Sequence, residues 1–239
     1  MKEKLSVVIP VYNESDVIEE VIRKYYKEII KKYPGSEMII AEDGSTDGTK
    51  EILRKLAKKL PIKLVMGDER KGYMKAAKDA IMLAKGDIIF FSDSDNTHDP
   101  KDFWKMLDAL NGNDIVAGVK ENRMDPFYRK FLSIVYNKFF LWLFFGLSIR
   151  DSNAGFKLMR RRSIQDIVPE IRHLKYGFSS ELLIRANYNK RKIVTVPVSH
   201  FERKTGVADQ FPLNRVPKII WMFLKGIFNL KMELIGRKF

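Results

Sequence analysis

The chain has 239 residues, 45% of them hydrophobic, and a formal net charge of +14. That length and apolar content fit one large globular domain with a sizeable core. It has no cysteine, which excludes a disulfide framework, a thiolate metal site and a thiol nucleophile, and which is compatible with a reducing compartment.

Charge is divided unevenly. Residues 1–119 hold 20 Lys/Arg against 21 Asp/Glu, and residues 120–239 hold 24 against 9. A near-neutral half is therefore followed by a strongly basic one. A basic half implies an anionic partner: nucleic acid, an anionic membrane surface or a phosphorylated substrate.

Met1-Lys2-Glu3-Lys4 runs straight into a strand-like segment and reads as no signal peptide. The apolar run 5–10 predicts a buried strand ending at Pro10, followed by a polar loop. Helical periodicity over 16–33 ends at Pro34-Gly35. Residues 37–41 predict a second strand, and Ile52, Leu53, Leu56 and Leu60 mark the next helix. A third strand is expected over 62–66, and a helix from Arg70-Lys71-Gly72 through Ala84. Residues 88–91 are a fourth strand, 100–110 a helix and 114–119 a fifth strand. Strands alternating with helices of this length mean βαβ units and a mostly parallel sheet.

The fourth strand leads into Ser92-Asp93-Ser94-Asp95-Asn96-Thr97-His98-Asp99-Pro100. Asp93 and Asp95 sit two residues apart at its carboxyl end, the edge where open α/β sheets bind ligands. Carboxylates converging there repel unless a cation lies between them. Mg²⁺ or Mn²⁺ suits such a site, taking one or two carboxylates plus substrate phosphates. The plainer reading is an acidic turn with Asp99 capping the next helix. Asn13-Glu14, Glu42-Asp43 and Asp68-Glu69 end the neighbouring strands and are expected on the same edge. Neither G-x-G-x-x-G nor G-x-x-x-x-G-K-[ST] is present, so the metal and basic side chains would have to hold phosphate.

The second half changes character. An aromatic, basic amphipathic helix is expected over about 126–147, and a second over 211–239. The uncharged run 139–149 is too short for a bilayer, which takes about 20 apolar residues. Helices of this kind either lie in a membrane interface or form core beneath the sheet. Residues 193–198 read as a strand, and 199–210 as a polar loop holding Arg203 and Lys204. His98 reads as a turn residue, His200 as a group able to approach a metal from across the cleft, and His173 as a surface residue.

These pieces together resemble glycosyltransferase family 2, with its GT-A fold, and within it the dolichyl-phosphate mannose synthase (polyprenyl-phosphate glycosyltransferase) type. Ile9-Pro10-Val11-Tyr12-Asn13-Glu14 resembles the opening P-x-Y-N-E, and residues 42–49 the D-G-S-x-D-G-T element. Arg70-Lys71-Gly72 and Gly86-Asp87 are similar to the next helix and strand entry, and Asp93-Ser94-Asp95 to the metal-binding D-x-D. Residues 151–157, 176–181 and 197–206 resemble the D-x-x-S-G-F-[RK], G-[YF]-x-F-x-x-E and P-V-x-x-x-x-R-x-x-G elements. The likeness spans about residues 5–210.

The resemblance implies that 1–210 is the catalytic domain, with a nucleotide-sugar half over 1–119 and an acceptor half over 120–210. It implies that Pro10, Tyr12, Glu14 and Asp43 hold base and ribose, that Lys71 lies beside the nucleotide, and that Asp93 and Asp95 carry Mg²⁺ or Mn²⁺ on the diphosphate. Arg129 and Arg203 match basic positions facing the phosphates, and Ser152 and Asn153 the acceptor side. Asp95, Arg129 and Arg203 are thus the expected catalytic residues. The chain departs from the pattern at Thr97, where a third metal ligand is usual and where water or Asn96 could substitute, at Ala154, and at residues 206–209.

The expected activity is inverting transfer of a sugar, mannose favoured over glucose, from a GDP- or UDP-sugar to polyprenyl phosphate. The expected location is peripheral, on the cytoplasmic face of a membrane, with a membrane-anchoring subunit as a candidate partner and no nucleic acid. A phosphate monoester is already ionised near neutral pH, its second pKa being about 6, and needs a basic cradle more than a base. A hydroxyl acceptor would need a general base, for which Glu181 is a candidate. Acceptors of that hydroxyl kind remain an alternative within the class. A non-enzymatic basic protein on membrane or nucleic acid is the alternative outside it, and a nucleotidyltransferase is disfavoured by the missing Gly-rich loop.

Overall fold

The computed structural model describes residues 3–121, 133–202 and 216–237. Its strands are β1 (Leu5–Val11), β2 (Glu37–Glu42), β3 (Ile62–Met66), β4 (Ile88–Ser92), β5 (Ile115–Lys120), β6 (Phe156–Arg160) and β7 (Ile193–Val198). They form one sheet in the order β3-β2-β1-β4-β6-β5-β7. The first four pair in parallel, β7 runs parallel to β5, and β6 is antiparallel to both β4 and β5. The helices are α1 (Ile18–Glu28), α2 (Thr49–Ala57), α3 (Tyr73–Met82), α4 (Phe103–Ala109), α5 (Leu141–Phe145), α6 (Phe178–Tyr188) and α7 (Val216–Gly236).

Both faces of the sheet are covered, which is why the central strands β1 and β4 are buried along their whole length rather than alternating. Phe90 packs on one side with α1, α2 and α4, and Phe91 on the other with α3, α6 and α7. The expected helix over 16–33 is shorter, ending at Glu28 before a 3₁₀ turn, Ile30–Lys32. Asp99 does cap the turn at Pro100, accepting from the Lys101 N–H at 2.9 Å. Capping by Asp99 and a ligand-binding role for Asp93 and Asp95 are therefore compatible.

Two elements carry no expectation from the sequence. Residues 156–160 form the antiparallel strand β6, inserted between β4 and β5. Residues 178–188 form α6, buried from Phe178 to Ala186 with Glu181 and Arg185 included. Its apolar residues follow no single stripe because the helix is enclosed on all sides.

In the second half, the apolar helices are divided between core and exposed faces. A π-helical turn, Val135–Phe140, leads into α5. Leu141 is buried in the core, while Phe139, Trp142 and Leu143 are each more than half exposed. On α7, Ile227, Leu230 and Leu234 join the core, so this helix is no detached appendage. Its outer stripe carries Trp221, Leu224, Phe228, Met232 and Ile235 in the open, with Lys218 and Lys225 exposed beside them. No helix among the described residues is long and apolar enough to cross a membrane.

Candidate active site

The carboxyl ends of β1, β2, β3 and β4 bring four polar loops together. The first two are stitched by cross-loop bonds: Asn13 N–H to Ser45 Oγ, Thr46 N–H to Asn13 Oδ1, Glu14 N–H to Thr49 Oγ1 and Ser15 N–H to Asp47 Oδ2, all at 2.9–3.0 Å. Asn13 has φ of +50°, a conformation asparagine tolerates better than most residues.

Asp43 ties the second loop to the third. It is buried, and its two oxygens accept from the Lys71 and Gly72 N–H groups at 2.7 and 2.9 Å. Gly44, at φ +75°, lies where a Cβ would collide with the backbone of Glu69 and Arg70. That close approach sets Arg70 over the Tyr12 ring, 3.8 Å from its centroid. Pro10 is buried within β1 in register with Ala41. Lys71 is exposed, with its Nζ 3.8 Å from Asp79. The expected nucleotide residues thus share one edge, but Asp43 serves there as a loop clamp as well.

The fourth loop carries the acidic pair. Asp93 donates its N–H to Gly155 O at 2.9 Å, and its Oδ1 accepts from the Tyr73 hydroxyl at 2.8 Å. A Cβ on Gly155 would overlap the Asp93 carboxylate. Burial, then the neighbouring Asp95, push the Asp93 pKa up to about 6, with Tyr73, Lys120 and Lys157 acting the other way. The Tyr73 side chain is 40% exposed, but desolvation of its hydroxyl and the adjacent Asp93 hold the phenol well above its ordinary value, so it is a donor. Asp95 Oδ1 accepts from the Thr97 N–H at 3.2 Å and the Thr97 hydroxyl at 2.7 Å. Thr97 therefore orients Asp95. Asn96 Oδ1 accepts from Lys24 Nζ at 3.2 Å.

The residues fit a divalent cation. Two carboxylates crowd one edge without full compensation, and among the described residues no group of three or more His, Asp or Glu side chains surrounds a common point. Such a pair leaves most coordination positions to water and phosphate oxygens, as Mg²⁺ and Mn²⁺ prefer. Gly155→Ala is expected to swing Asp93 out of place. It should abolish the rise in melting temperature that Mn²⁺ gives the wild type, and an equal rise in both proteins would remove Gly155 from the site.

β6 supplies the floor. Lys157 is fully buried, its Nζ donating to Ala154 O. Burial pushes its pKa down to about 8, opposed by Asp151 and Asp93. The segment after β7 is fastened to the acidic loop by the Phe201 N–H to Thr97 O bond at 2.8 Å and an isolated bridge between His98 and His200. His98 is buried and stacked on Phe156 at 4.6 Å. Burial, then Lys120, hold its pKa at about 3, so it is neutral packing rather than an exposed turn residue.

Three residues singled out from the sequence are placed differently from their expected settings. Ser152 is fully buried, its N–H bonded to Asn137 Oδ1 at 3.0 Å and its hydroxyl paired with Ser180 at 2.7 Å, so it faces the interior. Glu181 is fully buried and accepts from the N–H groups of Arg172, His173 and Leu174 at 3.0, 2.7 and 2.7 Å and from Arg185 Nε at 3.0 Å. It is a structural hub, not an available base. His173 is no surface residue either: its Nε2 lies 2.6 Å from Glu233, with the side chain 18% exposed. Asn153 is exposed and donates to Tyr176 O at 3.2 Å. Arg129, Arg203 and residues 126–132 of the expected helix lie outside the described residues.

Sequence reasoning missed Tyr73, Lys120 and the contact of Gly155 with Asp93. Each acts across elements distant in the chain. The only local signal was Gly155 within a recognisable motif.

The glycosyl transferase family 2 model matches residues 6–168. The chain is 29% identical to the dolichol-phosphate mannosyltransferase of Pyrococcus furiosus over 236 residues, 95% of this chain and 63% of that protein. It is 28% identical to the undecaprenyl-phosphate 4-deoxy-4-formamido-L-arabinose transferase of Edwardsiella ictaluri, over 84% of this chain and 61% of that one. The chain thus spans about three fifths of the length of these curated relatives. Among solved structures, it is similar to a mannosyltransferase from Pyrobaculum calidifontis in complex with GDP-Man and Mn²⁺, with TM-score 0.64 and 18% identity, covering 99% of this chain and 75% of that one. Glucosyl-3-phosphoglycerate synthase from Mycobacterium tuberculosis gives TM-score 0.65 at 22% identity, covering 94% and 80%.

Proposed function

The chain belongs to glycosyl transferase family 2, and from that premise we propose that it moves a sugar, with inversion, from a nucleoside diphosphate sugar to a polyprenyl phosphate at a membrane surface. Mannose is favoured over glucose, after the mannosyltransferase relative. Both curated relatives described above carry polyprenyl phosphates in their names.

The observation that carries the acceptor class is the state of Glu181. A hydroxyl nucleophile needs a positioned base, and the carboxylate best placed in the sequence for that duty is spent on three backbone N–H groups and Arg185. A phosphate acceptor, ionised near neutral pH, has no proton to lose. It needs cations instead, and residues 120–239 hold 24 Lys/Arg against 9 Asp/Glu.

In this reading Asp93 and Asp95 hold Mg²⁺ or Mn²⁺, which when bound supplies Lewis-acid neutralisation of the leaving diphosphate. Tyr12, Glu14 and Asp43 form the nucleotide edge, with Lys71 beside it. Lys120 adds positive charge next to Asp93, and Arg129 and Arg203 meet the phosphates of acceptor and product. Asn153 lines the acceptor entry. The exposed apolar stripes of α5 and α7, with Lys218 and Lys225, rest on the membrane on its cytoplasmic face. Basic residues there add about 1 kcal/mol each on an anionic leaflet. The same face leaves room for a membrane-anchoring subunit.

The test is transfer of labelled sugar from GDP-mannose, UDP-glucose and UDP-N-acetylglucosamine, with Mn²⁺, to polyprenyl phosphate and to the matching polyprenol. Transfer to the phosphate alone is expected. Equal transfer to both would sink the phosphate-acceptor assignment, and no transfer from any donor would sink the activity.

A further inference from the structure

Tyr73 stands outside every motif that marks the site, yet it touches the acidic pair. It is the first residue of α3 and follows Gly72, whose φ is +90° and whose N–H is bonded to Asp43. The Gly72 turn carries the chain from the loop after β3 toward the end of β4. There the Tyr73 hydroxyl donates to Asp93 Oδ1 at 2.8 Å. The ring is held edge-on to Phe178, with centroids 6.3 Å apart and planes at 83°. Phe178 is fully buried and packs at 5.7 Å on Phe91 of β4, two residues before Asp93.

The other carboxylate is held in a matching way. Asp95 Oδ1 accepts from the Thr97 hydroxyl at 2.7 Å. Each acid of the pair thus has one hydroxyl donor of its own, from a different element. Gly155 stands against the Asp93 carboxylate, where only a residue without Cβ fits. Asp93 is therefore bounded by Tyr73 and by the Gly155 backbone, and one oxygen is fixed by a neutral donor.

We propose that Tyr73 is a positioning residue for Asp93, locking its carboxylate in the orientation that receives the divalent cation, with Thr97 as its counterpart on Asp95. This rests on the reading of Asp93 and Asp95 as the metal pair. A hydroxyl donor on one oxygen restricts the two side-chain torsions of aspartate while leaving lone pairs on both oxygens. Partners of this kind behind a metal ligand typically set affinity by 10–100-fold.

The experiment is a Mn²⁺ titration followed by the paramagnetic signal of free Mn²⁺, without nucleotide and with GDP, on wild type, Tyr73→Phe, Thr97→Val and Asp93→Asn. Tyr73→Phe keeps the ring on Phe178, and melting of the metal-free proteins reports the fold. Tyr73→Phe is expected to weaken Mn²⁺ binding about 10-fold with an unchanged metal-free melting point, and Asp93→Asn to weaken it more. Wild-type affinity in Tyr73→Phe beside a loss in Asp93→Asn overturns the role of Tyr73. Wild-type affinity in Asp93→Asn overturns the metal pair itself, and the proposal with it. A lower metal-free melting point in Tyr73→Phe with unchanged affinity would make Tyr73 merely structural.

Discussion

Asp93→Asn is expected to lower metal-dependent sugar transfer by at least on the order of 10³-fold, while making the metal-free protein more stable at neutral pH. The two effects share one cause. Burial and Asp95 raise the Asp93 pKa from 3.8 to about 6, so the folded state disfavours the charge that a cation needs. A raised carboxyl contributes stability that is full below the unfolded value near 3.8 and is lost as pH rises through about 6. Above that pH the wild type bears the cost of the buried charge, at most about 3 kcal/mol before screening is allowed for. Asparagine removes it and still accepts from Tyr73. The metal-free variant should therefore melt above wild type at pH 7.5 and by roughly half that margin at pH 5, where the unfolded carboxyl is already ionised and the folded one is not. Mn²⁺ should raise the wild-type melting point at pH 7.5, less at pH 5, and leave the variant unmoved. Mn²⁺-dependent transfer retained by Asp93→Asn, or identical metal-free melting at both pH values, would contradict this account of the site.

What the sequence made legible follows from how local each signal is. β4 and its acidic turn were readable because an unbroken apolar run, 88–91, gives way to polar residues and Pro100 within one stretch. The parallel βαβ order of the first half was readable for the same reason. β6 was not, because Phe156-Lys157-Leu158-Met159-Arg160 places a lysine in the middle of a strand. That lysine is tolerated only because Ala154 O, Asp151 and Asp93 lie around it in the folded chain. α6 was missed because burial on every side erases the period that betrays a helix. The identity of Asp93 and Asp95 could be read, but what holds them could not: Tyr73 is 20 residues away and Gly155 is 62 residues away along the chain. Ser152 and Glu181 sit in recognisable motifs, the first expected on the acceptor side and the second a candidate base for a hydroxyl acceptor. The side-chain partners that draw them inward, Ser180 and Arg185, come from α6, an element the sequence did not disclose.

Arg185→Met is expected to destabilise the protein by about 3–5 kcal/mol, the usual cost of stranding a buried charge, and to release α7. Arg185 is 1% exposed and binds Glu181 at 2.9 Å, Glu233 at 3.0 Å and Glu170 at 3.3 Å. Glu233 is the anchor of α7 in this network, held also by His173, Arg172 and Arg237. Gly226 adds close contact about two turns earlier, where a Cβ would meet the His173 carbonyl. Removal of the guanidinium leaves Glu181 with its three N–H donors but leaves Glu233 facing fewer cations. The pH dependence separates this from a simple packing defect. Burial pushes the Glu233 pKa up, but hydrogen bonds from Arg185, His173 and Arg172 outweigh it and hold the group well below its ordinary value. A depressed carboxyl contributes stability that is present above its unfolded value near 4.5 and is lost as pH falls through the lower folded value. Wild-type stability should therefore fall on acidification below about pH 4.5, and that fall should be shallower in Arg185→Met. Urea unfolding between pH 3 and 7, with limited proteolysis at α7, reads both effects. A variant with wild-type stability, or with an unchanged acid slope, would show that α7 is held by its apolar contacts alone. If the slope does flatten, the helix with the exposed apolar outer stripe is linked on its inner side, through Glu233 and Arg185, to Glu181, the carboxylate that shapes residues 172–174. The exposed apolar face of α7 and the turn before Phe178, which supports Tyr73, then form one mechanical unit.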